Sequence, residues 1–443
     1  MQKHCAGLAF LCTWLSVWTG WAQQIEQLRL TPLGTEGVRV TFVVLGEPPN
    51  GAASVSVAAA GTFPATARTY HDDGGWSGTI YSASLEKVPR CFDYTAAVGT
   101  LAAEPIHACL APANYPLRIA AVADIGAPSV RGSPGVSNWT ISYLNIVAQR
   151  GEADAGLVAG DIAYIDRSTC SETDREDDEV NYDEFFRAME PFFARVPSLT
   201  AVGNHEVPGS PRFVGYSTRL AADMPNAGPG SEGMWHVSTI GKVAFLTLSS
   251  EHDYSVGSPQ HQWAVQVVGE LAKQKRAGTI DWIIAQMHRT FYTSTSDYYD
   301  RVISAEKLRA SFEMLFRSGS QDGSDWAGRD VVVDLLVGGH LHNAEQFLPA
   351  FNGTTVSRDY RNPTATVQLV VGNAGDQEGL THAFSSPWDF STLRMAELGY
   401  ANITAHNQSV LQVSSVFVPN ATSTAVRSRS FFITRAPPEV ILA

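Results

Sequence analysis

The sequence is poor in several features that would assign it to particular protein classes. Lysine and arginine number 31 against 44 aspartates and glutamates, which gives a formal net charge of −13. Such a surface does not attract phosphate backbones or acidic lipids, which argues against a general nucleic-acid or anionic-membrane binder. No run after residue 22 approaches eighteen apolar residues, so no membrane span is predicted. A Gly-x-Ser-x-Gly turn is also missing, which leaves a serine hydrolase with little support.

Cysteine is scarce as well, with five residues in 443. Two of them lie in residues 1–22, which combine a basic residue, an apolar core and small residues at the end, as a secretory signal does. Export favours oxidation, and the spacing of Cys91 and Cys109 suits a bridge between adjacent strands, so we predict that disulfide. Cys170 is then the one cysteine after residue 22 without a predicted disulfide partner. Five Asn-x-Ser/Thr sequons on an exported chain predict a secreted or endomembrane-lumen glycoprotein: Asn138, Asn352, Asn402, Asn407 and Asn420.

Hydrophobic patterning divides the chain into two parts. From residue 23 to about residue 112, short β-branched runs are separated by Gly, Pro and Asn, which predicts an all-β sandwich. From residue 113 to residue 443, strand-like and helix-like stretches alternate, which predicts an α/β domain. Helices are expected at 182–193, 260–275 and 307–316. Length alone allows two or three domains with sizeable cores.

Metal-ligating residue types follow five strand-like runs of the second part. The apolar run 331–337 is followed by two glycines and by His340 and His342, so that the backbone can approach a site closely. Loops beyond strand ends are where α/β folds build their sites. The set has only oxygen and nitrogen donors, which suits a pair of metal ions: Asp124, Asp161, Tyr164, Asn204, His288, His340 and His342.

Each of these residues alone is more often a turn former, a helix cap or a core residue than a ligand. Their occurrence together, in order and at strand ends, reverses that judgement. Aspartate and tyrosine oxygens suit ferric iron, while amide and imidazole suit Zn, Mn or Fe in the divalent state.

The motifs Asp-x-Gly, Gly-Asp-x-x-Tyr, Gly-Asn-His-Glu, a lone His and Gly-His-x-His, in this order, resemble those of the purple acid phosphatases within the calcineurin-like metallophosphoesterases. The tyrosine of the second motif distinguishes this branch from its colourless relatives. The resemblance covers nearly the whole chain after residue 22. It implies a fibronectin III-like sandwich at 23–112 and a catalytic domain at 113–443 with two packed β-sheets flanked by helices.

The resemblance also implies a role for each residue of the constellation. Ferric iron would be held by Asp124, Tyr164 and His342, the divalent ion by Asn204, His288 and His340, and Asp161 would bridge them. Metal-bound hydroxide would be the nucleophile, and His205 would meet the phosphate and protonate the leaving group. The chain departs from the family at two histidines of many plant members, which are Asp297 and Tyr298 here, so the predicted substrate contacts are Asn204, His205, Asp297 and Tyr298.

The sequence therefore predicts a secreted acid phosphatase that hydrolyses small-molecule phosphate monoesters. A phosphodiesterase or nucleotidase on the same metal core is the near alternative, since the ligand set does not distinguish them. A non-catalytic secreted glycoprotein is the alternative from another class, and loss of a ligand would favour it, but no ligand is lost.

Overall fold

The computed structural model of the protein describes residues 23–71, 76–130, 133–134, 136–166, 179–208, 212–297, 299–324, 331–385, 388–419 and 425–436. The predictions for the segment 1–22, Cys170, Tyr298 and Asn420 lie outside these residues. Among the helices of the described part, none combines the length and the apolar character that a membrane crossing requires.

The N-terminal part is a sandwich of two antiparallel sheets. Its strands are β1 (Ile25–Pro32), β2 (Gly37–Leu45), β3 (Ala53–Val57), β4 (Gly61–Pro64), β5 (Thr66–Arg68), β6 (Gly78–Glu86), β7 (Cys91–Val98), β8 (Leu101–Ala102) and β9 (Ile106–Cys109). One sheet has the order β1-β2-β6-β5, and the other has the order β4-β3-β7-β8 with β9 also paired to β7. Alternate side chains of both sheets, such as Val40, Phe42 and Tyr94, fill one shared core.

The predicted disulfide is confirmed. Cys91 and Cys109 are direct partners in the register of β7 and β9, and their Cα atoms lie 4.0 Å apart. The bridge therefore fastens the edge strand β9 of the sandwich, just before the chain enters the second part.

The C-terminal part contains the remaining strands and all five α-helices of the described residues. The strands are β10 (Leu117–Val122), β11 (Ser129–Val130), β12 (Ser133–Pro134), β13 (Ala155–Ala159), β14 (Ser198–Ala201), β15 (His236–Ile240), β16 (Val243–Thr247), β17 (Trp282–Gln286), β18 (Leu335–Gly338), β19 (Ala344–Phe347), β20 (Ala350–Phe351), β21 (Thr354–Thr355), β22 (Val367–Val371), β23 (Ser391–Met395), β24 (Gly399–Asn407), β25 (Val410–Phe417) and β26 (Arg427–Thr434). The helices are α1 (Asn138–Gln149), α2 (Val180–Phe193), α3 (Val214–Arg219), α4 (Pro259–Arg276) and α5 (Ala305–Ser318).

Two mixed sheets pack face to face in this part. The first has the order β14-β13-β10-β24-β25-β26, and the second has the order β15-β16-β17-β18-β22-β19-β23. Strands β10, β13 and β14 run parallel in the first sheet, and β16, β17, β18 and β22 run parallel in the second. Side chains of both sheets, such as Ile119, Leu157, Ile284 and Leu369, share one apolar layer, while the helices pack against the outer faces. The predicted fold class is confirmed.

A buried polar cluster joins the sandwich to the second part. The Arg219 guanidinium is 1% exposed, donates to the Tyr70 hydroxyl (2.5 Å) and to the Asp183 carboxylate (2.9 Å), and lies over the Trp76 ring. Tyr70 and Trp76 come from the sandwich, whereas Asp183 belongs to α2. These buried contacts between the sandwich and the second part hold the two parts in a defined orientation.

Three local expectations need correction or comment. The strand expected at 331–337 is shorter, since β18 starts only at Leu335; Val332 and Val333 instead donate their N–H groups to the last carbonyls of α5. Helix α1 was not among the expected helices, although its buried residues Ile141, Leu144 and Ala148 recur with helical spacing. The proposed boundary at 112/113 falls between β9 and β10 and stays a prediction.

Candidate metal centre

The predicted ligands come together because parallel strands end at a common edge of each sheet. Asp124 follows β10, Asp161 follows β13 and Asn204 follows β14, in neighbouring positions of the first sheet. His288 follows β17, and His340 and His342 follow β18, which is the next strand of the second sheet. Face-to-face packing of the two sheets brings the two sets of loops into one site.

Four of the seven predicted ligands adopt backbone conformations that are unusual for residues with a side chain. Asp124, Asp161, Tyr164 and His340 have φ angles of 56°, 49°, 52° and 68°. Left-handed backbone costs of order 1–3 kcal/mol for such a residue and is retained where the surrounding structure enforces it, most often at functional sites. For Asp124 and Asp161, the contacts that enforce this conformation are hydrogen bonds between their two loops, from the N–H groups of 124–126 to the carbonyls of 160–162.

Two glycines permit the close packing of these loops. A Cβ atom on Gly203 would collide with the Asp161 carboxylate, and a Cβ atom on Gly339 would collide with the Asp124 carboxylate. Without these side chains, the N–H of His340 reaches the Asp124 carboxylate at 2.9 Å. The sequence prediction that glycines before His340 allow close backbone approach thus has a specific geometric basis.

One group of contacts surrounds His288. Its Nδ1 lies 3.0 Å from the Ala159 carbonyl, which can only accept, so Nδ1 carries a proton. Its Nε2 lies 2.9 Å from Asp161 Oδ2 and 3.1 Å from Asn204 Oδ1. His340 joins this group, because ligand atoms of Asp161, His288 and His340 all lie within 4.8 Å of one another.

A second group of contacts surrounds Tyr164, which is fully buried. Its hydroxyl lies 3.0 Å from His342 Nε2 and 3.5 Å from Asp124 Oδ1. His342 Nε2 is 3.6 Å from the same carboxylate oxygen, and its Nδ1 lies 2.8 Å from the Gly379 carbonyl. As with His288, the carbonyl fixes the proton on Nδ1 and turns Nε2 toward the other donor atoms.

The site is strongly anionic, as the pKa values of its groups show. Burial raises the pKa of Asp124 to about 7. Burial also opposes charge on Asp161, but the neighbouring His288 and His205 lower the pKa of its carboxyl below the usual range. Although burial disfavours the imidazolium of His288, Asp161 raises its pKa to about 10. Without another cation, protons must neutralise this cluster.

These residues fit a pair of metal ions. When His288 is neutral, with its proton on Nδ1, three atoms with free lone pairs lie together and no proton separates them. They are His288 Nε2, Asp161 Oδ2 and Asn204 Oδ1. A phenolic, an imidazole and a carboxylate atom converge in the same manner around Tyr164. Buried groups of this kind are stabilised by a cation, which competes with protons for the same lone pairs. The assignment of individual ligands stays a prediction.

His205 lies at the edge of both groups and is largely buried. Its Nδ1 is 2.6 Å from Asp166 Oδ1, its Nε2 is 3.9 Å from Asp161 Oδ2, and its ring stacks on Tyr164. It lines a cavity of about 370 Å³ together with Asp297, His340 and His342. The structure therefore places three of the four predicted substrate contacts at one site: His205 and Asp297 line the cavity, and Asn204 lies beside His288.

Sequence reasoning missed three residues of this site. The stretch 166–179 is rich in carboxylates, which is typical of a solvated surface loop, yet its first residue, Asp166, is 2% exposed and bonded to His205. Glu206 was not given a role, yet its buried carboxylate accepts the N–H groups of Asp161, Ile162 and Gly203. The sequence feature that could have identified Glu206 is its position as the last residue of the motif Gly-Asn-His-Glu.

The third missed residue is Arg289, whose only sequence signal was its position directly after His288. Its guanidinium donates to Asn204 Oδ1 (3.2 Å), to Asp300 Oδ1 (2.8 Å) and to Glu251 Oε1 (3.1 Å), and lies 2.7 Å from His340 Nε2. This arginine contacts two of the residues that were predicted to hold the divalent ion, Asn204 and His340.

Comparison with known proteins agrees with this geometry. The calcineurin-like phosphoesterase family model matches residues 117–344, and that of the iron/zinc purple acid phosphatase-like protein C matches residues 365–425. Human acid phosphatase type 7 is 28% identical over 316 residues, which cover 69% of this chain and 65% of the human protein. The mouse protein of that name is 26% identical over 88% of this chain and 87% of its own.

More distant relatives include plant proteins. Purple acid phosphatase 21 of Arabidopsis thaliana is 24% identical over 66% of this chain and 58% of its own length. The structure of a purple acid phosphatase from yellow lupin seeds superposes with a TM-score of 0.74 at 20% identity, over 93% of this chain and 75% of the lupin chain. Because the family model covers more than half of the sequence, the chain belongs to the calcineurin-like phosphoesterase family, in its purple acid phosphatase branch.

Proposed function

We propose that the protein is a secreted phosphatase that hydrolyses phosphate monoesters at a centre of ferric iron and a divalent ion. The observation that carries the proposal is the convergence of seven donor groups, five of them buried and two half-buried, in two sets of contacts with Asp161 beside them. Asp124, Tyr164 and His342 would hold the ferric ion, Asn204, His288 and His340 the divalent ion, and Asp161 would bridge. When bound, such a metal pair activates water and neutralises the charge of the phosphate.

The remaining chemical requirement is a proton for the leaving alkoxide, and His205 is suited to supply it. Asp166 binds Nδ1, which leaves Nε2 directed toward the cavity. Burial disfavours the imidazolium, but Asp161 and Asp166 outweigh it and raise the pKa of His205 to about 9. When metal ions bind Asp161, the contact of Asp166 with Nδ1 continues to favour the protonated imidazole, which is the form that a general acid needs before the reaction.

The test compares two leaving groups in the variant His205→Ala. General acid catalysis is typically worth roughly 10²–10⁴-fold, so an alkyl phosphate should be hydrolysed more slowly by about that factor. A nitrophenyl phosphate should be affected much less, since nitrophenolate leaves without a proton. Metal content of the variant is measured in parallel and should remain that of the unaltered protein.

Two results would contradict this role. Equal losses on both substrates would mean that His205 binds phosphate and does not donate a proton. A large leaving-group-dependent loss in Asp297→Asn would assign the acid to Asp297. A diester that is hydrolysed faster than the monoester would favour the phosphodiesterase alternative.

A further inference from the structure

Nε2 of His340 lies between a carboxylate and a guanidinium. It is 3.1 Å from Asp300 Oδ1 and 2.7 Å from Arg289 Nη1. By contrast, the second ring nitrogen of His288 lies beside the backbone carbonyl of Ala159, which can only accept. The two neighbours of His340 have opposite effects on its ring proton, since a carboxylate accepts a hydrogen bond and a guanidinium only donates.

The two neighbours therefore favour different tautomers of the neutral imidazole. If Nε2 accepts a hydrogen bond from Arg289, the ring proton is on Nδ1, and no lone pair is left for a metal ion. If Nε2 carries the proton and donates it to Asp300, the lone pair of Nδ1 is free. Because Nε2 is already in contact with both groups, Nδ1 is the ring atom of His340 that is available to an ion. Binding of an ion at His340 thus requires the second tautomer.

The Asp300 carboxylate is held in place by contacts on several sides. It lies in a π-helical turn, Tyr299–Ser304, directly before α5, and its N–H donates to the Asp297 carboxylate at 3.0 Å. Arg289 Nη1 donates to Asp300 Oδ1 at 2.8 Å, and Arg289 Nε donates to Glu251 Oε1 at 3.1 Å. The Asp300 side chain is 19% exposed, so its hydrogen bonds face less competition from water than those of an open surface.

Asp300 also offsets a positive charge close to the candidate metal centre. The Arg289 guanidinium donates to Asn204 Oδ1 at 3.2 Å as well, so it lies beside two predicted ligands of the divalent ion. A positive charge at this distance weakens the binding of a cation. The carboxylates of Asp300 and Glu251, at 2.8 and 3.1 Å from the guanidinium, compensate that charge.

We infer that Asp300 is a positioning residue for the divalent ion, because it accepts the Nε2 proton of His340 and compensates the charge of Arg289. The inference rests on the proposed function and concerns the divalent half of the proposed metal pair. A group that binds the second nitrogen of a histidine ligand typically contributes roughly 10–100-fold to metal affinity. The predicted ferric ligands Asp124 and Tyr164 lie in other loops, so the ferric ion should be affected little.

The experiment measures the affinity for a divalent ion in the variant Asp300→Ala. The protein is prepared with ferric iron alone, and zinc is then titrated in competition with a chelating dye. The dissociation constant for zinc should rise by roughly 10–100-fold, while the iron content and the visible absorption band stay those of the unaltered protein. Asp300→Asn should lose less affinity, since its amide oxygen still accepts the Nε2 proton but carries no charge. It has the shape of aspartate and therefore also tests the inference if Asp300→Ala does not fold.

A double variant tests the competition between Asp300 and Arg289. In Asp300→Ala, the guanidinium remains beside Nε2 and favours the tautomer that cannot bind the ion. Its additional replacement, Arg289→Met, should therefore bring the zinc affinity back toward that of the unaltered protein. A loss of affinity through general damage to the loops would instead be as large or larger in the double variant.

The matched control is Asp154→Ala. The Asp154 side chain is 7% exposed and pairs with Arg118 at 2.7 Å, at the opposite end of β13 from Asp161. Removal of this ion pair should lower stability in urea unfolding and leave the zinc affinity unchanged.

Three results would overturn the inference. They are an unchanged zinc affinity in both Asp300 variants, a loss of iron together with zinc, and a double variant that binds zinc no better than Asp300→Ala. A protein that binds both ions but hydrolyses no phosphate ester would refute the proposed function alone, since the zinc titration does not depend on activity.

Discussion

The buried carboxylate of Glu206 connects two of the loops that form the metal centre. It accepts the N–H groups of Asp161 (3.0 Å) and Ile162 (2.7 Å) from one loop and of Gly203 (2.8 Å) from the other. It thereby fixes the loop of Asp161 relative to the loop of Asn204. We predict that Glu206→Gln weakens both the fold and the retention of metal.

The magnitude follows from counting donors and acceptors. Glutamine has the same size, but its amide N–H₂ replaces one acceptor oxygen, so at least one backbone N–H faces another donor whichever way the amide is turned. A buried donor without a partner costs about 1–3 kcal/mol. Counting the backbone N–H and the amide N–H₂ as two such donors, we expect the free energy of unfolding to fall by about 2–6 kcal/mol.

The assay has two parts. Burial raises the pKa of Glu206 to about 8, so urea unfolding of the metal-free protein is measured above that pH, where the carboxylate is ionised. Tryptophan fluorescence then reports the loss of stability. Elemental analysis after reconstitution with limiting metal measures retention, which should also fall because Asp161 is no longer anchored.

The matched control is Glu313→Gln. Glu313 is also buried and accepts the N–H of Asn352 at 3.1 Å, but it lies on α5 away from the centre. This variant should lose stability and keep its metal. A Glu206→Gln protein with unchanged stability and metal affinity would refute the reasoning.

Three other substitutions test separate parts of the structure. Tyr164→Phe should remove a visible absorption band, since a buried phenolate on ferric iron gives charge transfer; a colourless unaltered protein with two zinc ions and full activity would contradict the iron assignment. Replacement of Cys91 and Cys109 by serine should destabilise the sandwich by about 2–4 kcal/mol in thermal or urea unfolding, whereas an unchanged midpoint would show that the bridge is dispensable. Arg219→Met should cost about 3–5 kcal/mol by urea unfolding, because it leaves the buried Asp183 carboxylate unpaired. The exposed Arg361 is its control, and equal effects of the two arginine substitutions would contradict the argument.

The predicted sequons offer a finer comparison. Asn138, Asn352 and Asn407 are exposed, whereas Asn402 is half-buried in β24 between two neighbouring strands. Glycan mapping by mass spectrometry should therefore find the three exposed sites occupied more fully than Asn402. Higher occupancy at Asn402 would mean that the glycan is attached before this strand is paired.

Local sequence was sufficient for the fold class and for the choice of the candidate ligands. A β-branched run bounded by glycine or proline predicts a buried strand, and parallel strands bring the residues after their ends to one edge. Asp124, Asp161 and His288 were therefore found from their positions alone. The Cys91–Cys109 bridge also followed from local spacing, because both cysteines lie on neighbouring strands.

Only the tertiary structure decided which polar groups are buried together. The bond from Asp166 to His205 spans 39 residues, and the local acidic composition around Asp166 indicated a solvated loop. Arg289 contacts Asn204 across 85 residues, and Glu206 contacts Ile162 across 44. The run before β18 is not a strand, because the N–H groups of Val332 and Val333 donate to carbonyls at the end of α5. Such pairings depend on which helices, strands and loops pack against each other. The composition and periodicity of a sequence describe only local structure and therefore do not predict these contacts.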